Sequence, residues 1–205
     1  MKNYSQLNQD MWVLQKLNFK KDGFFLEAGA CDGVYLSNTY LLEKDFGWKG
    51  ICCEPNMEYY EKLKINRNCF TDNRVLYDKD DCDIEFYPHG ELGGTFQDFK
   101  IESNRLYERV SATPFNTKTI SLNSVLKKFD APKNIDYISL DTEGSELKIL
   151  SSLNFSHYDV KIFSVEHNTT QRNDNGEYLK SIILFLQNFG YKYEINQWDC
   201  YFFKD

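Results

Sequence analysis

Three short stretches concentrate the residues whose types and spacing could do chemistry. SLDTEGSE (139–146) carries Asp141, Glu143 and Glu146, SVEHN (164–168) carries Glu166, His167 and Asn168, and EAGACDG (27–33) sets Glu27 and Asp32 around Gly29 and Gly33. Carboxylates beside a histidine suit removal of a proton from a hydroxyl, or an oxygen-rich site for Mg or Mn that acidifies that hydroxyl. His167 is an acceptable base because an unperturbed imidazole titrates near pH ~6.5, and its carboxylate neighbours should raise that value. A histidine hydrogen-bonded at a strand end is the competing reading. Glu146 is read as charging the first turn of a helix. Around the third stretch, glycines permit positive φ and close approach of a ligand, while the two acids would repel a pyrophosphate and favour a ligand carrying positive charge.

Chemistry at these points requires elements that bring them to one rim. Apolar runs bounded by turn residues alternate with segments of helical period, the pattern of a mostly parallel sheet covered by helices. The sequence predicts a leading helix over 6–17 with Leu7, Met11, Leu14 and Leu17 on its buried face. It then predicts strands at 23–29 and 50–55 with helices at 38–46 and 56–67, followed by a third strand within 69–77 and a short extra strand at DIEFYPH. The polar stretch around 89–116 is read as an insertion or lid with a helix near 99–110, in which Gly93, Gly94 and Thr95 would cover the acceptor and His89 is a second candidate base, with a solvated loop histidine as the favoured reading. Alternation resumes with a strand and helix at 119–129, a buried strand at 135–141, a helix at 145–153, a strand at 160–168 and a helix at 176–189. YKYEIN and CYFF are separated only by QWD, too short for a parallel crossover, so they form an antiparallel hairpin. The fold class is therefore α/β, doubly wound and Rossmann-like, with a mostly parallel sheet ending in an antiparallel hairpin, in one domain over 1–205. That closing hairpin is the layout of S-adenosylmethionine methyltransferases rather than of a nicotinamide-binding domain.

In open α/β sheets ligands sit beyond the carboxyl ends of the strands. The first strand ends at Glu27–Gly33 and the second at Glu54, Pro55 and Asn56, some twenty residues on, where an acid can accept from both hydroxyls of a ribose. Two sites thus agree on a nucleoside, and the acids at the glycine turn suit one that bears a sulfonium and an ammonium. Ser37, Asn38 and Thr39 follow the turn and could also cap the next helix.

SQLNQD (5–10), the run from Phe24 to Asn56, YISLDTEGSELKIL (137–150) and SVEHN together resemble FkbM-family methyltransferases, in consistent order over nearly the whole chain. The resemblance implies an S-adenosylmethionine-dependent O-methyltransferase acting on a hydroxyl of a sugar, glycan or small natural product. Its implied cofactor-binding set is Gln6, Gln9, Glu27, Gly29, Ala30, Asp32, Gly33, Ser37, Asn38, Thr39, Glu54, Pro55, Asp72, Asn73 and Asp141. Glu54 would hold the ribose, Asp72 or Asn73 would lie near adenine, and Gln6 and Gln9 would fold over the methionine end. Asp141, Glu143 and His167 are the catalytic candidates. By likeness to metal-dependent O-methyltransferases of the same fold, Asp141, His167 and Asn168 are candidate ligands for Mg or Mn, with metal-free proton removal as the alternative. Cys31 stands where the common turn has a further Gly or Asn.

Composition narrows the partners. A net charge of -7 disfavours a nucleic-acid binder, which needs clustered Lys and Arg, and the (N/D)PP(Y/F/W) tetrad of base methyltransferases is missing. No apolar run approaches a membrane span and MKNYSQLNQDMW lacks a signal-peptide core. The six cysteines show no CxxC pair, so reduced thiols and a cytoplasmic protein are expected. A catalytically idle binding module on the same fold is the rival from another class.

Overall fold

The computed structural model describes residues 4–99, 110–170, 172 and 174–204. In chain order the elements are α1 (Gln9–Lys16), β1 (Phe24–Ala28), α2 (Tyr40–Phe46), β2 (Lys49–Cys53), α3 (Met57–Asn66), β3 (Phe70–Asp72), β4 (Val75–Tyr77), β5 (Asp83–Tyr87), β6 (Gly94–Thr95), α4 (Phe96–Phe99) and β7 (Phe115–Ser121). They continue with α5 (Leu122–Lys128), β8 (Asn134–Leu140), α6 (Glu146–Ser151), β9 (Asp159–Glu166), α7 (Glu177–Gln187), β10 (Lys192–Ile195) and β11 (Asp199–Phe203).

The main sheet has the order β10-β11-β9-β8-β1-β2-β3. Its ladders are parallel except where β11 runs antiparallel to both β9 and β10. Apolar runs such as Ile135 to Leu140 are buried because helices cover both faces. Side chains cap two of those helices: Asn56 accepts from the Glu58 amide and Ser121 from the Ser124 amide. The sheet's strand order reverses beside β1, so the ends of β1, β2, β8 and β9 open on one rim.

Three expectations change. The leading helix begins only after Asn8, whose φ is 63°, and it buries Gln9 and Asp10 beside Val13 and Leu14 because both polar side chains have partners there. Residues 69–77 hold two short strands rather than one, and β4 leaves the main sheet. It joins a second sheet, β4-β7-β5-β6, to which the strand expected at 119 also belongs, beginning at Phe115. Leu76 and Ile120 from this sheet share the main apolar core with Leu26, Ile51 and Ile138. The helix expected near 99–110 lies outside the described residues.

Candidate active site

Two adjoining clefts open on the rim. The first, of about 530 Å³, is lined by the ends of β1 and β2, by Arg74 to Leu76, by Phe86 and by Gly90 to Thr95 in part. The second, of about 620 Å³, is lined by Gln6, Tyr35, Leu36, Leu92, Trp198 and the acids Glu91, Asp141, Glu143 and Glu166, with Asn168. Gly29, Cys31, Glu91 and Asp141 face both. Gly29 must be glycine here: its φ is 78°, and a Cβ would lie 1.9 Å from the Asp141 carbonyl oxygen.

Glu54 is the buried acid of the first cleft. Its Oε2 accepts from the Cys31 amide at 2.9 Å and its Oε1 from the Asn56 amide at 2.8 Å. Two of its acceptor positions are used, and a carboxylate has about four, so it can still receive two hydroxyls. Burial pushes its carboxyl up to about 7 despite those two bonds. Pro55 and Gly29 line the same cleft.

Other residues expected at the cofactor are turned to different work. Glu27 Oε2 accepts from Ser37 Oγ at 2.9 Å and Thr39 Oγ1 at 2.6 Å, and its Oε1 accepts from the Asn38 amide at 2.6 Å. Arg67, whose side chain is fully buried, lies 3.4 Å from Glu27 and donates to Glu43 at 2.8 Å. This network places Glu27, Ser37, Asn38 and Thr39 beneath the loop after β1 rather than in the lining of either cleft, while the capping alternative holds for Ser37, whose Oγ accepts from the Tyr40 amide at the start of α2 at 3.0 Å. Asp32 Oδ1 accepts from the Val34 and Tyr35 amides, Ala30 is packed in the core, and the Gly33 carbonyl accepts from Arg67. Gln9 is also buried, donating to Asp199 at 2.9 Å, whereas Gln6 reaches the second cleft. Asp72 is ion-paired with Arg74 and Lys128, and Asn73 points toward the sulfur of Met57.

In the second cleft Asp141, Glu143 and Glu166 bring carboxylate oxygens within 4.8 Å of one another. Burial first, then the Glu143 charge, pushes Asp141 well above the usual carboxylate range, and burial with the Asp141 charge does the same to Glu166. Carboxylates so close do not all ionise until positive charge arrives. Asn168 donates to Glu143 at 3.3 Å. Glu146 stands in the first turn of α6 as expected, and it also accepts from the Thr142 and Gly144 amides and from Tyr178, shaping the loop that presents Asp141 and Glu143.

His167 departs from expectation in place and in charge. Its ring lines neither cleft; Nδ1 accepts from the Thr169 amide at 3.1 Å, which leaves Nε2 as the donor toward the Asn196 carbonyl at 3.3 Å. Burial lowers its pKa, so it is a neutral residue bracing the end of β9. The acid missed at this position is Glu166. Strand alternation was the available signal, because Val165 is in the core and its successor must face the other way. Gly93, Gly94 and Thr95 line the first cleft and not the second, and Asp98 ties that segment down by accepting from Lys148 at 2.6 Å. His89 lines neither cleft.

A family model described as the methyltransferase FkbM domain matches residues 27–193. Among solved structures, the precorrin-6y C5,15-methyltransferase of Geobacter metallireducens aligns with a TM-score of 0.51 at 11% identity, over 95% of this chain and 87% of that one. The human methyltransferase 10 domain containing protein aligns with a TM-score of 0.49 at 14% identity, over 97% and 81%. A chain of a fibrillarin/Nop5p complex aligns with a TM-score of 0.49 at 13% identity, over 97% and 79%. At such identities the first of these speaks for the fold alone. No curated protein matches the sequence.

Proposed function

Because the chain belongs to the FkbM methyltransferase family, whose members use S-adenosylmethionine, we propose that it moves the methyl group of that cofactor to a hydroxyl of a sugar, glycan or small natural product. The observation that carries the reading is the meeting of two unlike clefts at Gly29 and Asp141. One offers a buried acid with spare acceptor positions, which suits a ribose; the other offers crowded carboxylates, which suit positive charge. When bound, the cofactor supplies an electrophilic methyl group on a sulfonium. The chain's own residues then do three things. Glu54 would accept the ribose hydroxyls, the carboxylate group around Asp141 would balance the cationic end, and Asp141, raised in basicity, would take the proton leaving the acceptor hydroxyl. Leu36, Leu92 and Trp198 would give the acceptor apolar surface beside those carboxylates.

Mass spectrometry of labelled methyl transfer onto a panel of glycans and small alcohols tests the reaction, and calorimetry with S-adenosylhomocysteine tests the cofactor. Binding with no turnover on any acceptor would favour the idle binding module. The net charge of -7 and the carboxylate-lined cleft support a small-molecule or glycan acceptor over a nucleic acid. Among the described residues no helix is long and apolar enough to cross a membrane. The proposal includes cytoplasmic residence, which fractionation of expressing cells checks.

A divalent cation is the second reading, favoured by the convergence of Asp141, Glu143 and Glu166. This all-oxygen set fits Mg or Mn and replaces the His167-containing set expected from sequence. Loss of turnover in EDTA with rescue by Mg or Mn supports it; unaltered turnover leaves direct proton transfer to Asp141.

A further inference from the structure

Arg74 stands in the wall of the first cleft, beside the acid that the family resemblance puts next to the base. Asp72 grips it along one edge: Arg74 Nε donates to Oδ1 at 3.0 Å and Nη2 to Oδ2 at 2.7 Å. The Arg74 amide also donates to Oδ1 at 3.0 Å and Lys128 to Oδ2 at 2.8 Å. With four donors on it, the Asp72 carboxylate has no acceptor position left for an exocyclic amine. Its side chain is 1% exposed, whereas that of Arg74 is 28% exposed. The bidentate pair fixes the plane of the guanidinium while leaving Nη1 and the flat face outside the pair. Arg74 thus presents an oriented, partly exposed guanidinium to the cleft, with its counter-charge Asp72 shared with Lys128. Purine rings meet such a wall well, through ring nitrogens that accept hydrogen bonds and a π face that attracts a cation. Val75, Leu76 and Phe86 supply apolar surface around it.

We propose that Arg74 is the residue that recognises the purine of the bound nucleoside, and that Asp72 is its positioning residue rather than a contact to the base. This rests on the cofactor reading above. The test titrates S-adenosylhomocysteine, and S-ribosylhomocysteine as a ligand lacking the base, into wild type, Arg74→Met, Asp72→Asn and the double variant, with thermal melts alongside. Arg74→Met keeps the apolar stem and should weaken S-adenosylhomocysteine roughly tenfold or more, with S-ribosylhomocysteine unaffected. Asp72→Asn should weaken it by a smaller factor, and should add nothing once Arg74 is gone, an outcome that general destabilisation would not produce. Unchanged affinity in Arg74→Met, or equal loss for both ligands, overturns the assignment. Wild type that takes up no S-adenosylhomocysteine overturns the cofactor reading itself, so the two failures are told apart.

Discussion

The two clefts share a floor at Gly29 and Asp141 yet handle charge in opposite ways. In the first, the polar groups are oriented before any ligand arrives: Glu54 is held by two amides and Arg74 is clamped by Asp72. In the second, Asp141 and Glu166 are pressed against each other and against Glu143 with their basicity raised. Polar groups already oriented suit recognition, whereas crowded carboxylates of raised basicity suit a response to incoming positive charge. Beneath both lies a third arrangement, the Glu27–Arg67–Glu43 network, which faces neither ligand and only supports.

The sharpest way to break this contrast is Asp141→Asn. It should lower turnover by roughly 10²–10⁴-fold, the scale of losing an acid-base group, with a far smaller loss of S-adenosylhomocysteine affinity. Steady-state kinetics beside calorimetry decides, and equal losses in both would merge the two clefts into one function. Arg67→Ala attacks the support instead. Leaving Glu27 and Glu43 buried without their cation should cost about 3–5 kcal/mol in denaturant melts; a loss near zero would mean the network is ornamental.

Glu54→Gln should weaken S-adenosylhomocysteine by about 1.5–3 kcal/mol, as expected for a lost charged acceptor. Glu54 also makes a signed prediction about pH. Its folded value of about 7 lies above the ordinary carboxylate range because the group is buried, so the folded state binds the extra proton and stability from this group is present below the unfolded value and lost as pH rises through about 7. Hydroxyl donors prefer the ionised carboxylate, so ligand affinity should move the other way and improve across the same range. Both trends should flatten in Glu54→Gln, and a pH profile unchanged by that substitution would remove Glu54 from the ribose. The smallest effect is expected at His167→Ala: a stability cost of about 1 kcal/mol for the lost bonds, with turnover and its pH profile kept. A large fall in turnover at unchanged stability would return His167 to the mechanism.

Much of the main sheet was legible because its strands are continuous apolar runs and its helices have clear period, and the three-residue QWD link required the hairpin. The second sheet was not. β3, β4 and β6 span two or three residues each, too few to show a period, and whether a strand pairs with β2 or with β7 is settled by partners distant in the chain. The same limit applies to side chains at the rim. Glu166 and His167 are neighbours in sequence, but one more residue along an extended strand turns a side chain to the opposite face, so the acid meets the cleft and the histidine braces the backbone.

From the sequence alone came the fold class, the rim on which Glu54, Asp141 and Glu143 stand, and the kind of ligand that such a rim suits, because these follow from local periodicity and from the chemistry of each residue type. Tertiary structure alone decided which acids have acceptor positions left to offer. Glu27 and Asp72 are as acidic as Glu54 on paper, yet Arg67 comes to the first from forty residues away, and at the second Lys128 joins the neighbouring Arg74 from fifty-six residues away. A carboxylate's role is set by how many donors already surround it in space, and the spacing of letters along a chain does not carry that count.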